Sequence, residues 1–166
     1  MPKIIKDGGI VEDLSLIIER DAEEPVSTAA GVRYFLPQQV WLDLYPGFDR
    51  YQVRPGIWID SNECLDALQA RLSEIPAIAI HFSSFSDGTG FSTAALLREA
   101  YGFEGELRAC GDLIADQAPQ LRRCGFNAIA LQQGECLETA LAMLLGMSLT
   151  YQGSIYSPRT PFKFRF

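Results

Sequence analysis

Between residues 77 and 146 one pattern recurs three times: an apolar run, a polar turn, an amphipathic segment and a glycine. Repeated βα units of this kind feed parallel strands into one sheet, with every strand's carboxyl end on the same edge. The apolar run AIAIHF (77–82) lacks the alternation of a half-exposed strand and suits one covered on both faces. Glycines 102, 125 and 146 follow the three amphipathic segments, where only glycine enters the left-handed region freely.

The pattern extends upstream. Residues 32–36 and 56–60 read as two more strands. The first is followed by a helix with Pro37 in its opening turn, reaching about Tyr45. The second is followed by Asp60-Ser61-Asn62-Glu63, a capping-box-like start for a helix through Leu65, Leu68 and Leu72. Strands at 106–110 and 127–131 complete a set of five. Between these last two, Pro119 restricts the regular helix to a start near Gln117, after an irregular turn over 111–116. Residues 3–13, KIIKDGGIVED, form a β-hairpin around Asp7-Gly8-Gly9, with 14–18 as its extension. The expected fold is therefore α/β: a mostly parallel five-stranded sheet with flanking helices and a small N-terminal hairpin. Periodicity leaves both a flavodoxin-like open sheet and a half βα barrel, the open form preferred. Residues 1–30 are the hairpin and its loop, 31–150 the α/β domain, and 151–166 a basic, aromatic tail that packs back on the domain or docks to a partner.

The net charge of −7 is uneven: 7 basic and 13 acidic residues up to Ser83, then 7 and 8. That balance opposes nucleic-acid binding, which requires a basic face. No segment approaches the roughly 20 apolar residues of a membrane span, and MPKIIKDGG lacks a signal-peptide core, so a cytoplasmic location is expected. Cys64, Cys110, Cys124 and Cys136 are widely spaced and read as buried, reduced thiols. With one histidine in the chain, no metal site is expected.

Three features on or near the carboxyl edge carry the candidate chemistry. The loop SSFSDGTGFST (83–93) offers Gly88 and Gly90 for close backbone approach, and helix-start amides with Ser92 for an anion. Asp87 within it caps amides or, alternatively, belongs to a substrate loop. It is neither a Walker A loop nor GxGxxG. Arg108 lies in the apolar strand ELRAC and requires a carboxylate partner or a ligand, with Asp112 and Asp87 as the expected partners. His81, ending the third strand, is either a satisfied sheet-edge group or an acid–base group. The catalytic candidates are thus Asp87, Asp112 and His81, and the ligand-binding candidates Gly88, Gly90, Ser92, Arg108 and Gln117. Arg98, Arg122 and Arg123 sit in last turns of helices and suit the helix dipole.

The stretch FSDGTGFSTAALLREAYGFEGELRACGDLIADQAPQLRRCGFNAIAL resembles a bacterial domain-of-unknown-function family, number 934, whose members are typically encoded beside assimilatory sulfite reductase. The resemblance runs roughly from Gly56 to Gln152. It rests on D-G-x-G-[YF]-S, L-L-R-E, G-E-L-R-A-x-G-D, D-Q and L-R-R-C-G-F in combination. The chain departs from the family pattern where Ser84 replaces a lysine, Thr89 replaces an arginine and Pro119 enters a helix. The resemblance implies an accessory protein of sulfite and sulfate assimilation, docking to sulfite reductase or its electron donor, with no cofactor or catalytic residue to carry over. The alternative is a small enzyme or binding protein for a carboxylate or sulfur oxyanion, with Arg108 as clamp and Asp112 or Asp87 as acid–base group. Either form is compatible with a homo-oligomer.

Overall fold

The computed structural model describes residues 2–21, 30–45 and 47–146. The tail expected at 151–166 lies outside them. Among the described residues, eight strands form one sheet rather than five. These are β1 (Lys3–Lys6), β2 (Gly9–Glu12), β3 (Ser15–Ile17), β4 (Arg33–Pro37), β5 (Gly56–Asp60), β6 (Ala77–Phe82), β7 (Glu106–Gly111) and β8 (Ala128–Ile129), ordered β2-β1-β8-β7-β6-β5-β4-β3. From β3 to β8 all neighbours pair in parallel, whereas β1 pairs antiparallel with both β2 and β8. The β1–β2 hairpin turns at Asp7 (φ 49°) and Gly8 (φ 84°), and the positive φ at both positions matches the right-handed twist of the strands.

Six parallel strands in consecutive order exclude a flavodoxin-like arrangement, whose strand order reverses at a switch point. Right-handed crossovers between consecutive neighbours put every connection on one face, and the sheet curls away from them into a half-barrel. Residues 14–18 do not extend the hairpin. β3 lies at the opposite edge of the sheet from β2, yet only Asp13 and Leu14 separate the two strands. Three Cα steps cover at most about 11 Å, so the two edges must come together. They do: the Asp13 amide donates to Pro2 O (2.9 Å) in the β1–β2 ladder, and the Arg33 amide donates to Leu14 O (3.1 Å) in the β3–β4 ladder. Local periodicity has no information about such a change of partner.

Alternation along each strand builds two apolar layers. Leu36, Ile57, Ile59, Ile78, Ile80, Phe82, Leu107 and Ile129 form one face of a continuous buried core. Helices α1 (Gln38–Leu44), α2 (Asp66–Gln69), α3 (Thr89–Glu99), α4 (Ala118–Arg123) and α5 (Leu137–Gly146) contribute Trp41, Leu68, Leu97, Leu121 and Leu144 to it. Each such side chain stabilises by about 1.5–3 kcal/mol. Phe35, Ala77, Ala79 and Cys110 face the concave side. There Gly56 has no room for a Cβ, which would come 2.9 Å from the Phe35 ring.

The helix expected through Leu72 is interrupted: α2 is four residues long, and a separate 3-10 turn covers Leu72–Glu74. Leu65, Leu68 and Leu72 are all buried nonetheless. The capping box forms only in part, with Glu63 Oε2 accepting from the Asp60 amide (3.1 Å), because the same carboxylate is also held by Arg20. Pro119 sits in the first turn of α4 after a 3-10 segment at Ala115–Gln117, so the irregular start is observed. Two cysteines depart from the expected burial: Cys64 and Cys136 are exposed, and all four are free. Among the described residues no helix is long and apolar enough to cross a membrane.

Candidate functional site

Three polar clusters occupy the carboxyl edge. At the end of β5, Asp60 accepts from Arg20 Nη2 (2.9 Å) and faces His81 Nδ1 (3.2 Å), the next strand's residue in register. Arg20 also reaches Glu63 (2.8 Å) and lies 4.8 Å over the Trp58 ring. The Trp58 indole in turn donates to Ile18 O (2.6 Å). The segment after β3 is thereby strapped across the edge. His81, Asp60 and Arg20 remain 41–46% exposed.

The second cluster surrounds Asp87. Its Oδ2 accepts the Ser61 hydroxyl and its Oδ1 accepts the Thr89 amide (2.9 Å), two hydrogen bonds to the charged form that hold its carboxyl below the usual range. Ser61 is itself fixed by its amide on His81 O (3.1 Å) and its carbonyl on the Thr93 hydroxyl (2.8 Å). Asp87 thus ties the 83–93 loop to the turn after β5. Gly90 is buried, and a Cβ there would come 2.4 Å from the Phe82 ring, so packing alone demands glycine. Gly88 is exposed in open space, and Ser92 is exposed on α3.

The third cluster grips a peptide. Asp112 Oδ2 accepts from the Phe85 amide (3.2 Å), and Gln117 Nε2 donates to Phe85 O (2.9 Å). Gln117 Oε1 also accepts from the Ile114 amide (3.1 Å). Both sides of Phe85 are held by side chains, while the residue itself is 61% exposed.

Arg108 joins none of these clusters. Its side chain is 6% exposed on the concave face, in register with Ala79 and Ala128, whose small size leaves it space. Its partners are Glu106 (Nη2–Oε1 2.8 Å) and Asp13 (3.1 Å), together with the Ser15 hydroxyl and the Phe35 ring. Asp87 and Asp112, its expected partners, follow the strands' carboxyl ends. Arg108 instead turns toward the amino end, where residues 13–15 cross between the sheet edges. Glu106 stands two residues before Arg108, on the same face by strand alternation; Asp13 arrives by topology alone.

Glu106 is the hub of this interior network, accepting also from Lys6 (2.7 Å) and Arg33 (3.3 Å). Burial opposes its charge, yet the hydrogen bonds and charges of Lys6 and Arg108 prevail and keep its carboxyl below the usual range. A cleft of about 360 Å³ opens beside Lys6, Arg33, Glu106 and Arg108. Cys110, further along β7, is no nucleophile: burial pushes its thiol up to about 12. Among the described residues no group of three or more histidine, cysteine or acidic side chains could hold a metal ion. Sequence reading missed Arg20, Asp13, Lys6 and Arg33 as site residues: the first three come from segments outside the repeated βα units, and Arg33 opens a strand that was read for its apolar residues alone.

No curated protein and no solved structure matches the chain. A family model described as bacterial protein of unknown function (DUF934) matches residues 56–162, a span that takes in β5 to α5 and the second and third clusters, with Arg20 of the first cluster outside it. The chain belongs to that family.

Proposed function

We propose that this protein is an accessory factor of assimilatory sulfite and sulfate reduction, acting in the cytoplasm by docking to the reductase or its electron donor. The observation that carries the docking role is Phe85. An exposed aromatic ring is unremarkable by itself, but here the peptide beneath it is clamped on both sides by Asp112 and Gln117. A ring held in place loses little conformational freedom on binding, which is what a contact anchor requires. Asp87, Gly88, Gly90 and Asp112, around Phe85, all coincide with the family pattern, and the sulfur setting rests on that pattern's usual gene neighbourhood. At the carboxyl edge, Asp87, Asp112 and Asp60 are each engaged in holding loops, which favours docking over acid–base catalysis. Arg108, proposed from sequence as an anion clamp, has its donors taken by Glu106, Asp13 and Ser15.

Co-purification of sulfite reductase and its electron donor with the tagged full chain tests the proposal. Retention by the wild type and loss by Phe85→Ala, with unchanged thermal stability, is the expected result. Absence of both partners, together with unaltered growth on sulfate in a deletion strain, overturns it.

A further inference from the structure

The cleft at the amino end of the strands has the make-up of a ligand site that the docking role does not use. Its walls divide by chemistry. Ile4, Val11, Leu14 and Val53 supply apolar surface, and Lys6 and Arg33 supply positive charge. Its volume, about 360 Å³, falls at the small end of the range in which proteins bind small molecules.

Three cations and three carboxylates line the cleft, but one of the carboxylates, Glu12, stands exposed at the rim, and without it the charges are unbalanced. Arg108 spends its Nε, Nη1 and Nη2 donors on Glu106, Asp13 and Ser15, and so matches Asp13. Glu106 alone is then left to serve both Lys6 and Arg33, which leaves one cation in excess. Arg33 is the less well held of the two. Its single contact with Glu106 is 3.3 Å long, through Nη1, and its Nε is buried with no hydrogen-bond partner among the described residues. The Arg33 side chain is nonetheless 29% exposed beside the cleft, and a guanidinium held by one long contact keeps donors for an oxyanion. Glu12, exposed at the rim, is the other charged side chain lining the cleft. Its carboxylate lies in solvent, where screening weakens its repulsion.

We propose that this cleft binds a small oxyanion carried on a short aliphatic body, a carboxylate or a sulfonate, with Arg33 and Lys6 on the anionic group and the Ile4–Val53 side around the body. The site is independent of Phe85 and of any reductase.

Chemical-shift titration of the isotope-labelled full chain tests it, using butyrate, hexanoate, butanesulfonate and sulfate at constant ionic strength against chloride. The expected result is saturable shifts at the amides of Lys6, Arg33 and Val53. The probes with aliphatic bodies bind more tightly than sulfate, and the better head group separates carboxylate from sulfonate. Arg33→Gln weakens the best probe roughly tenfold or more, the loss expected for charge-assisted contacts. His81→Gln leaves it unchanged. Should Arg33→Gln fail to fold, Val53→Trp, which fills the apolar side, must abolish the same shifts. The proposal is overturned if no probe gives saturable shifts up to about 10 mM, where a millimolar ligand would be mostly bound. Shifts confined to the carboxyl edge, or probe affinity unaffected by either variant, overturn it equally.

Discussion

The two ends of the curled sheet use the same residue types for opposite purposes. At the amino end, Glu106 and Arg108 are each 6% exposed and belong to one connected network with Asp13, Lys6 and Arg33. At the carboxyl edge, Arg20, Asp60 and His81 are also linked, but each is 41–46% exposed, so water can replace the contacts they make. Removing one member of a desolvated network leaves the others charged and unpaired, whereas removing an exposed partner returns the other to water. Charges inside hold the sheet's edges together; charges at the rim hold loops. Function is easier to place at the rim, where substitution costs little stability, and the interior is where substitution should be felt first.

The largest effect is therefore expected from Glu106→Ala, which takes the acceptor from Lys6 and Arg33 and leaves the buried Arg108 with Asp13 and Ser15 alone. Loss of a buried partner of this kind costs about 3–5 kcal/mol, to be read as a shift in the urea midpoint with an unchanged slope. The pH dependence has a definite sign. The folded Glu106 carboxyl lies below its ordinary value of 4.5, so its contribution is complete above that pH and is lost as pH falls through the lower folded value. The gap between wild type and Glu106→Ala should narrow on acidification from pH 5. A gap that widens would show the network to be a net liability, and the contrast between the two ends would fail.

Gly90 and Gly88 sharpen the contrast within the rim itself. Gly90→Ala drives a methyl group against Phe82 in the core and should cost about 1–3 kcal/mol. Gly88 has nothing within 4 Å of its would-be Cβ and a φ of −83°, so Gly88→Ala should stay within about 0.5 kcal/mol. Thermal denaturation of the pair decides the matter. Equal losses would mean that the loop, and not the core beneath it, requires both glycines.

Asp87 comes next. Asp87→Ala removes two hydrogen bonds that join the 83–93 loop to Ser61, for about 1 kcal/mol. Its folded carboxyl lies below 3.8, so the difference from wild type is full at neutral pH and fades only as pH falls below that ordinary value. Hydrogen exchange at Thr89 should accelerate in the variant. No change there would return Asp87 to the list of groups without a structural duty.

How far these contrasts were readable in the sequence depends on the range of the interaction. Strand positions 56–60, 77–82 and 106–110 and the irregular start at Pro119 are local properties, carried by apolar runs and proline chemistry, and the structure has them, the last strand one residue longer. The ambiguity at Asp87 and at Arg108 was legible too, because a carboxylate before a helix start and a guanidinium within an apolar strand each demand partners. Their identities were not. Asp13 reaches Arg108 over 95 residues, and Arg20 reaches Asp60 over 40, both through the strand that links the sheet's edges. That strand was read as an extension of the hairpin, since period-2 alternation is the same whichever neighbour it pairs with. Arg98 shows the same limit on a smaller scale: beyond its place in a last turn, it donates to the carbonyls of Phe103, Gly105 and Gly125, fastening the chain around β7's entry.

Among the charged groups the smallest effect is expected from Arg20→Ala, and it bears most directly on the comparison. Arg20 makes two ion pairs, with Asp60 and Glu63, and covers the Trp58 ring, so by count of contacts it rivals Arg108. By exposure it does not: at 46% its guanidinium is already hydrated, and exposed pairs contribute about 0–1 kcal/mol. The stacking on Trp58 adds no more than a similar amount. Arg20→Ala should lower stability by less than about 1 kcal/mol and lose even that difference in high salt. The Trp58 environment should become more accessible to a fluorescence quencher, since the strap that shields it is loosened. A loss comparable to that of Glu106→Ala would mean that the strap, like the interior network, holds the sheet closed.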